Sequence, residues 1–160
     1  MLGFAIGSRY QALKETIEES SKKVVGFVPC RHAIDMLVQT LRDDGVTSDV
    51  IRGDVSAANR TQIFDRFQST PDPKVLVIQP QSAAHGVTLT AANTIVWWGP
   101  TSSLETYLQA NARIHRAGQD QKCTVIQLAG SAAEKRIYRM LDERINIHTA
   151  MIDLYKEILD

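Results

Sequence analysis

The chain has 160 residues, the size of one ordinary domain and too short for two well-cored ones. At 44% hydrophobic and 22% charged residues it is globular, which excludes the disordered and fibrous classes. Its 18 basic and 18 acidic side chains cancel, so overall charge gives no sign of a nucleic-acid partner. No apolar run reaches the roughly 18 residues of a membrane helix, and the opening MLGFAIGSRY lacks a basic leader. Cys30 and Cys123 stand far apart without CxxC or Cys/His spacing. The expectation is a cytoplasmic protein with no membrane partner, no disulfide and no metal site.

The hydrophobic period predicts alternating helices and strands. Tyr10, Leu13 and Ile17 recur at helical spacing before the Ser20-Ser21 break. Val24 to Val28 is a short apolar run closed by Pro29, which reads as a buried strand. Ile34, Leu37, Val38 and Leu41 then follow helical spacing, and Gly45 ends that helix. A weaker strand covers Asp49 to Ile51, and Ser56 caps a helix that buries Ile63 and Phe67. Pro71 and Pro73 lead into KVLVI, a second buried strand; TIVWW makes a third, stopped by Gly99-Pro100. Of its two tryptophans, Trp97 and Trp98, one is expected in the core and the other over a face. Leu104, Tyr107, Leu108 and Ile114 give a helical stripe, and CTVIQL a further strand.

Ser131 and Glu134 have capping-box spacing, opening a last helix with Ile137, Met140, Leu141 and Ile145 on one face. Met151, Tyr155 and Ile158 continue its apolar pattern. Continuously apolar strands separated by helices predict an α/β, three-layer fold: a mostly parallel sheet covered by helices on both faces. One domain spans 1–160, with a core of about 22–130 and a helical extension over 131–160.

The chemistry is concentrated in one stretch. There is no GxxxxGK[ST] phosphate loop, no GxGxxG, no GxSxG and no HExxH. From Gln109 to Arg139, Arg113, Arg116, Lys122, Lys135, Arg136 and Arg139 face only Asp120 and Glu134, a surplus of four positive charges. Within it lies QANARIHRAGQ, Gln109 to Gln119. On a helix, Arg113 and Arg116 share a face, with Gln109 one turn earlier. Such a pair is either a surface pair held by Asp or Glu, or a pair for bidentate phosphate contacts.

QANARIHRAGQ matches QAxxRxHRxGQ and so resembles the last helicase motif of the Swi/Snf-type branch of superfamily-two ATPases. Three upstream segments resemble the same family in the same order. IRGDVSAANRTQIFDRFQ has Gly53, Arg60, Ile63 and Phe67 in matching places. VVGFVPCRHAIDMLVQTL is similar to the first strand and helix of the second lobe. LVIQPQSAAHGVTLTAANTIVWW is similar to motif five, with Gly86 and Leu89 in register. Motif five departs from the family in having Ala83-Ala84 for its glycine pair, then His85, and Thr88 for its asparagine. The ending RAGQ looks more like the double-stranded-DNA translocases than the DEAD-box RNA helicases, and WWGPTSSLETY more like phage and bacterial members.

The resemblance implies a second, C-terminal RecA-like lobe of a P-loop NTPase-type motor, partnered by an N-terminal RecA-like lobe and by double-stranded DNA. ATP and Mg²⁺ would bind in the two-lobed parent, with none bound to this lobe alone, which should be inactive without the Walker motifs. Arg116 would be the arginine finger and Arg113 its companion; Gln109, Gly86 and Thr88 would sit at the nucleotide. Gln81, Ser82, His85, Arg31 and His32 would line the DNA backbone. Such a protein would be cytoplasmic and nucleoid-associated in a bacterial or phage-infected cell. The alternative is a non-catalytic DNA- or protein-binding module of the same fold. Arg60 has two open readings, a salt bridge across its helix or a DNA contact, and His85 has two as well, a phosphate contact or a helix cap.

Overall fold

The computed structural model describes residues 2–83, 88–114 and 122–159. Its strands are β1 (Lys23–Phe27), β2 (Ser48–Ile51), β3 (Val75–Ile78), β4 (Ala92–Trp97) and β5 (Thr124–Gln127). They form one sheet in the order β2-β3-β1-β4-β5, and every neighbouring pair is parallel. The helices are α1 (Leu2–Glu19), α2 (Arg31–Asp43), α3 (Ala57–Ser69), α4 (Leu104–Asn111) and α5 (Ala132–Leu159), with a short 3-10 turn at Pro80–Ala83. Among these helices none is long and apolar enough to cross a membrane.

The apolar runs of β1, β3 and β4 resolve into two cores because successive side chains point to opposite faces of a sheet. Val25, Leu76 and Ile95 are in register, as are Phe27, Ile78 and Trp97; these rows meet α3, α4 and α5. Val24, Val28, Val75, Val77, Val96 and Trp98 point the other way, onto Leu13 and Ile17 of α1 and Ile34, Leu37 and Leu41 of α2. Both tryptophans are therefore core residues, one per face, where the strand-end pattern predicts a single core tryptophan. The flanking strands lack this double burial, and Val125 of β5 is exposed.

Local signals set the helix ends. Ser56 Oγ accepts from Asn59 N–H at 3.2 Å and Ser103 Oγ from Thr106 N–H at 3.2 Å. At α5, Ser131 Oγ accepts from Glu134 N–H at 3.1 Å, but Glu134 Oε1 returns to Gly130 N–H, one residue before the expected box position. The reason is a competing cation: Arg9 of α1 donates to Glu134 Oε1 and, at 2.9 Å, to the carbonyl of Trp98. Helix α2 stops in a Schellman turn, with Gly45 at φ 73°, Gly45 N–H on Arg42 O and Val46 N–H on Leu41 O. Met151, Tyr155 and Ile158 do continue the last helix, yet they are exposed, as are Ile147 and Leu154.

Trp97 is the densest point of the α3–α5 core. Its ring centroid lies 4.8 Å from that of Phe27 and 4.8 Å from that of Tyr107. Its indole N–H donates to Asn111 Oδ1 at 2.9 Å, at the last residue of α4. Asn111→Ala should leave that buried donor unpaired and cost about 1–3 kcal/mol in urea unfolding, whereas Asn111→Asp, which keeps an acceptor, should cost less.

On the opposite face the Tyr10 hydroxyl donates to Asp44 Oδ2 at 2.6 Å. That hydrogen bond, aided by the nearby Lys14 and opposed by desolvation, holds the Asp44 carboxyl below its ordinary value. A carboxyl depressed on folding stabilises above its unfolded pKa and ceases to do so as pH falls through its folded pKa. Tyr10→Phe should therefore lower the Tm at neutral pH, and the gap from the parent should close as Asp44 is titrated with acid. A gap that widened on acidification would contradict the assignment.

Candidate functional site

The expected site residues that fall within the described chain gather in two groups. The first lies where β1, β3 and β2 end. Phe27 pairs with Ile78 and Ile78 with Ile51, so the segments leaving these strands emerge side by side. Val28 N–H on Ile78 O at 3.0 Å and Gln79 N–H on Ile51 O at 2.9 Å extend the ladder one step past the strands. Pro29 then turns the chain and Cys30 caps α2 without a side-chain bond, leaving Arg31 and His32 exposed on its first turn. From β3 the 3-10 turn closes with Ser82 N–H on Gln79 O at 2.8 Å, exposing Gln81 and burying Ser82. Arg31, His32 and Gln81 thus stand on one solvent-facing rim.

That rim carries an ion-pair network outside the expected residue set. Arg31 Nη2 donates to Asp54 Oδ2 at 2.5 Å, Arg52 Nε lies 3.3 Å from Asp54 Oδ1, and Arg52 Nη1 donates to Asp35 Oδ1 at 2.7 Å. The hydrogen bond to Asp35, with further attraction from both carboxylates, raises the Arg52 pKa. Arg31 follows β1 and Asp54 follows β2, so their contact crosses the exit of the intervening β3. The alternation Arg52-Gly53-Asp54 after a strand was a visible signal, but the partners depend on strand order, which spacing does not encode. Arg60 bonds to backbone carbonyls. Its Nη2 donates to the carbonyls of Arg52 at 3.5 Å and Val55 at 3.4 Å, tying the turn after β2 to α3.

The second group lies at the end of α4. Arg113, expected on a helix, lies beyond α4, which stops at Asn111. Ala112 N–H still bonds Leu108 O, but Arg113 N–H bonds Ala110 O at 3.2 Å and Ile114 N–H bonds Asn111 O at 3.3 Å. The spacing has shortened to three residues, a tightening common at helix ends. Two anchors fix this turn: Ile114 is fully buried, and the Arg113 carbonyl accepts from Leu89 N–H at 2.7 Å. That bond joins the QANARIH segment to the end of the motif-five segment. Arg113 itself is only 7% exposed, so it is not a surface arginine.

Gln109 is half-buried and donates to Glu105 Oε1 at 3.2 Å, one turn back along α4; Thr88 is half-buried just before Leu89. His85, Gly86, His115 and Arg116 lie outside the described residues. The 3-10 turn packs against α4, which brings the two groups to adjoining parts of the lobe. Among the described residues no group of three or more His, Cys, Asp or Glu could hold a metal ion. Lys135, Arg136 and Arg139 are exposed on α5; Lys135 and Arg139 share a groove of about 590 Å³ with Asp142 and Glu143, which offsets their charge.

Comparison with known proteins matches this arrangement. The family model for the helicase conserved C-terminal domain covers residues 8–118. An uncharacterized ATP-dependent helicase of Mycoplasma genitalium is 30% identical over 145 residues, 88% of this chain and 13% of that protein. A SWI/SNF-related matrix-associated actin-dependent regulator of chromatin subfamily A-like protein 1 from Xenopus tropicalis is 26% identical over 147 residues, 89% of this chain and 15% of the relative. The chain thus spans a small part of the curated relatives it matches. In fold it is similar to the C-terminal part of the Fun30 ATPase domain, with a TM-score of 0.76 at 20% identity over 82% of this chain and 44% of that one. The C-terminal domain of the DEAD-box protein Dbp5 gives 0.72 at 19% identity over 87% and 79%. With a matched family model over most of its length and a five-stranded parallel RecA-like sheet, the chain belongs to the helicase conserved C-terminal domain family, as a C-terminal lobe of the Snf2-type superfamily-two helicases.

Proposed function

We propose that this lobe is half of an ATP-driven motor that moves on double-stranded DNA, paired with an N-terminal RecA-like lobe. The observation that carries the reading is the bond between the Arg113 carbonyl and Leu89 N–H. It couples the stretch expected to meet nucleotide phosphate to the stretch leading back, through residues 84–87, to the buried Ser82 and the rim of Arg31, His32 and Gln81. ATP bound between the lobes would be met by Arg116 as the finger and by Gln109 and Thr88 nearby. Mg²⁺ would be held by the partner lobe. Arg113, 7% exposed, would have a different duty from its neighbour, supporting the chain that leads to Arg116. A guanidinium that meets the γ-phosphate only when the lobes close stabilises the transition state more than bound ATP.

Four consequences can be measured. The 160-residue chain alone should show no DNA-stimulated ATP turnover. In the two-lobed parent, Arg116→Ala should lower kcat by about a thousandfold, the range for arginine fingers, with nucleotide affinity little changed. Arg116→Lys should restore little, since an ammonium lacks the planar fork. Arg113→Ala should instead lower the stability of the lobe by about 1–3 kcal/mol in chemical denaturation. Intact turnover in Arg116→Ala would remove the finger assignment and favour a structural ion-pair role for Arg116.

For the DNA track the expectation is weak binding, indifferent to base sequence and weakening steeply with salt, because a single lobe makes few phosphate contacts. Titration of a labelled duplex at two salt concentrations reads this directly. Strong preference for one sequence would count against a backbone-tracking lobe.

A further inference from the structure

We infer that Asp54 is an exchange partner for phosphate at Arg31: its carboxylate occupies the guanidinium in the free lobe and yields it to a DNA phosphate on binding. This rests on the proposed DNA reading and names the groups that tune it. Three observations carry it.

The Arg31–Asp54 pair is open to solvent, with side-chain exposures of 62% and 49%. Exposed ion pairs contribute little net stability, so their partners exchange readily. Arg52 is the contrast within the same network, for it is 26% exposed and held by both Asp35 and Asp54. That shared arginine is the second observation. When Arg31 leaves, Asp54 still has Arg52 at 3.3 Å, so the exchange strands no carboxylate.

The third is placement. Arg31 and Asp54 meet across the exit of β3, beside the exposed Gln81, on the rim expected to follow the DNA backbone. A phosphate reaching Arg31 there must displace the Asp54 oxygen bonded to Nη2 or share the guanidinium with it. Sharing would set two anions side by side, which is unfavourable. Displacement frees a planar fork suited to two phosphate oxygens. Asp54 therefore sets a threshold on DNA affinity without itself contacting DNA.

The experiment is a double-mutant cycle on the 160-residue chain, titrated with a labelled random-sequence duplex at low and moderate salt. Asp54→Asn keeps the side-chain shape and removes its charge. It should tighten binding by about two- to fivefold, the worth of an exposed pair. The log–log salt slope should stay close to the parent's, because Arg31 meets one phosphate in both. Arg31→Ala should weaken binding, and Asp54→Asn added to it should give no further gain. An equal gain with and without Arg31 would mean that Asp54 acts only through general charge, and overturns the exchange. So would unchanged or weaker binding in Asp54→Asn when circular dichroism shows the variant folded. Absence of duplex binding in the parent chain and every variant would overturn the DNA reading itself, and this inference with it.

Discussion

Burial of three adjacent strands on both sides is the constraint from which the lobe is built. Every residue of β3, and β1 from Val24 to Phe27, is buried, so neither face of the sheet can be left to water. Helices must cover both, and parallel strands need crossovers long enough to contain them. Once those crossovers exist, the segments leaving β1, β2 and β3 emerge at one edge of the sheet. The rim of exposed polar side chains is thus a by-product of the hydrophobic pattern, and the fold supplies it before any residue is chosen for chemistry.

Much of this was legible in residue order. Continuous apolar runs marked the central strands, and Ser56, Gly45 and Ser131 marked helix ends through local hydrogen bonds that need no tertiary context. Local rules failed where distant groups intervened. Glu134 missed its box position because Arg9, 125 residues earlier, draws on the same oxygen. One of Trp97 and Trp98 was expected to cover a face because one-dimensional spacing cannot show that α1 and α2 close the second one. The early end of α4 was invisible for a similar reason. Spacing alone would let the helix run on, whereas Leu89 and the buried Ile114 pull its last turn tight.

The site was legible as a list and illegible as an arrangement. Arg31, Gln81, Gln109 and Arg113 were all identifiable from the sequence, but their separation into a solvent-facing rim and a buried turn was not. The acidic partners of the rim were missed altogether. A search for phosphate-binding groups looks for cations, and Asp54 and Asp35 become relevant only when β3 is known to lie between β1 and β2. Charge balance on this rim is therefore a property of topology.

Among the described residues, the last helix is held firmly near its start. Glu134 is gripped by Arg9, and the Tyr138 hydroxyl donates to the carbonyl of Leu128 at 2.8 Å and of Trp97 at 3.2 Å. Leu141 is buried and Ile145 half-buried, and beyond them the helix continues to Leu159, with Ile147, Met151, Leu154, Tyr155 and Ile158 exposed. From Ile145 to Leu159 that arm is about 21 Å long. Pinned in its first turn at Glu134 and in its second at Tyr138, it has the geometry of a lever whose fulcrum sits against the ends of β4 and β5. A tilt of about ten degrees at the pins moves the far end by about 4 Å. Geometry alone would thus magnify small adjustments at the carbonyls of Trp97 and Leu128 at a surface well outside the sheet.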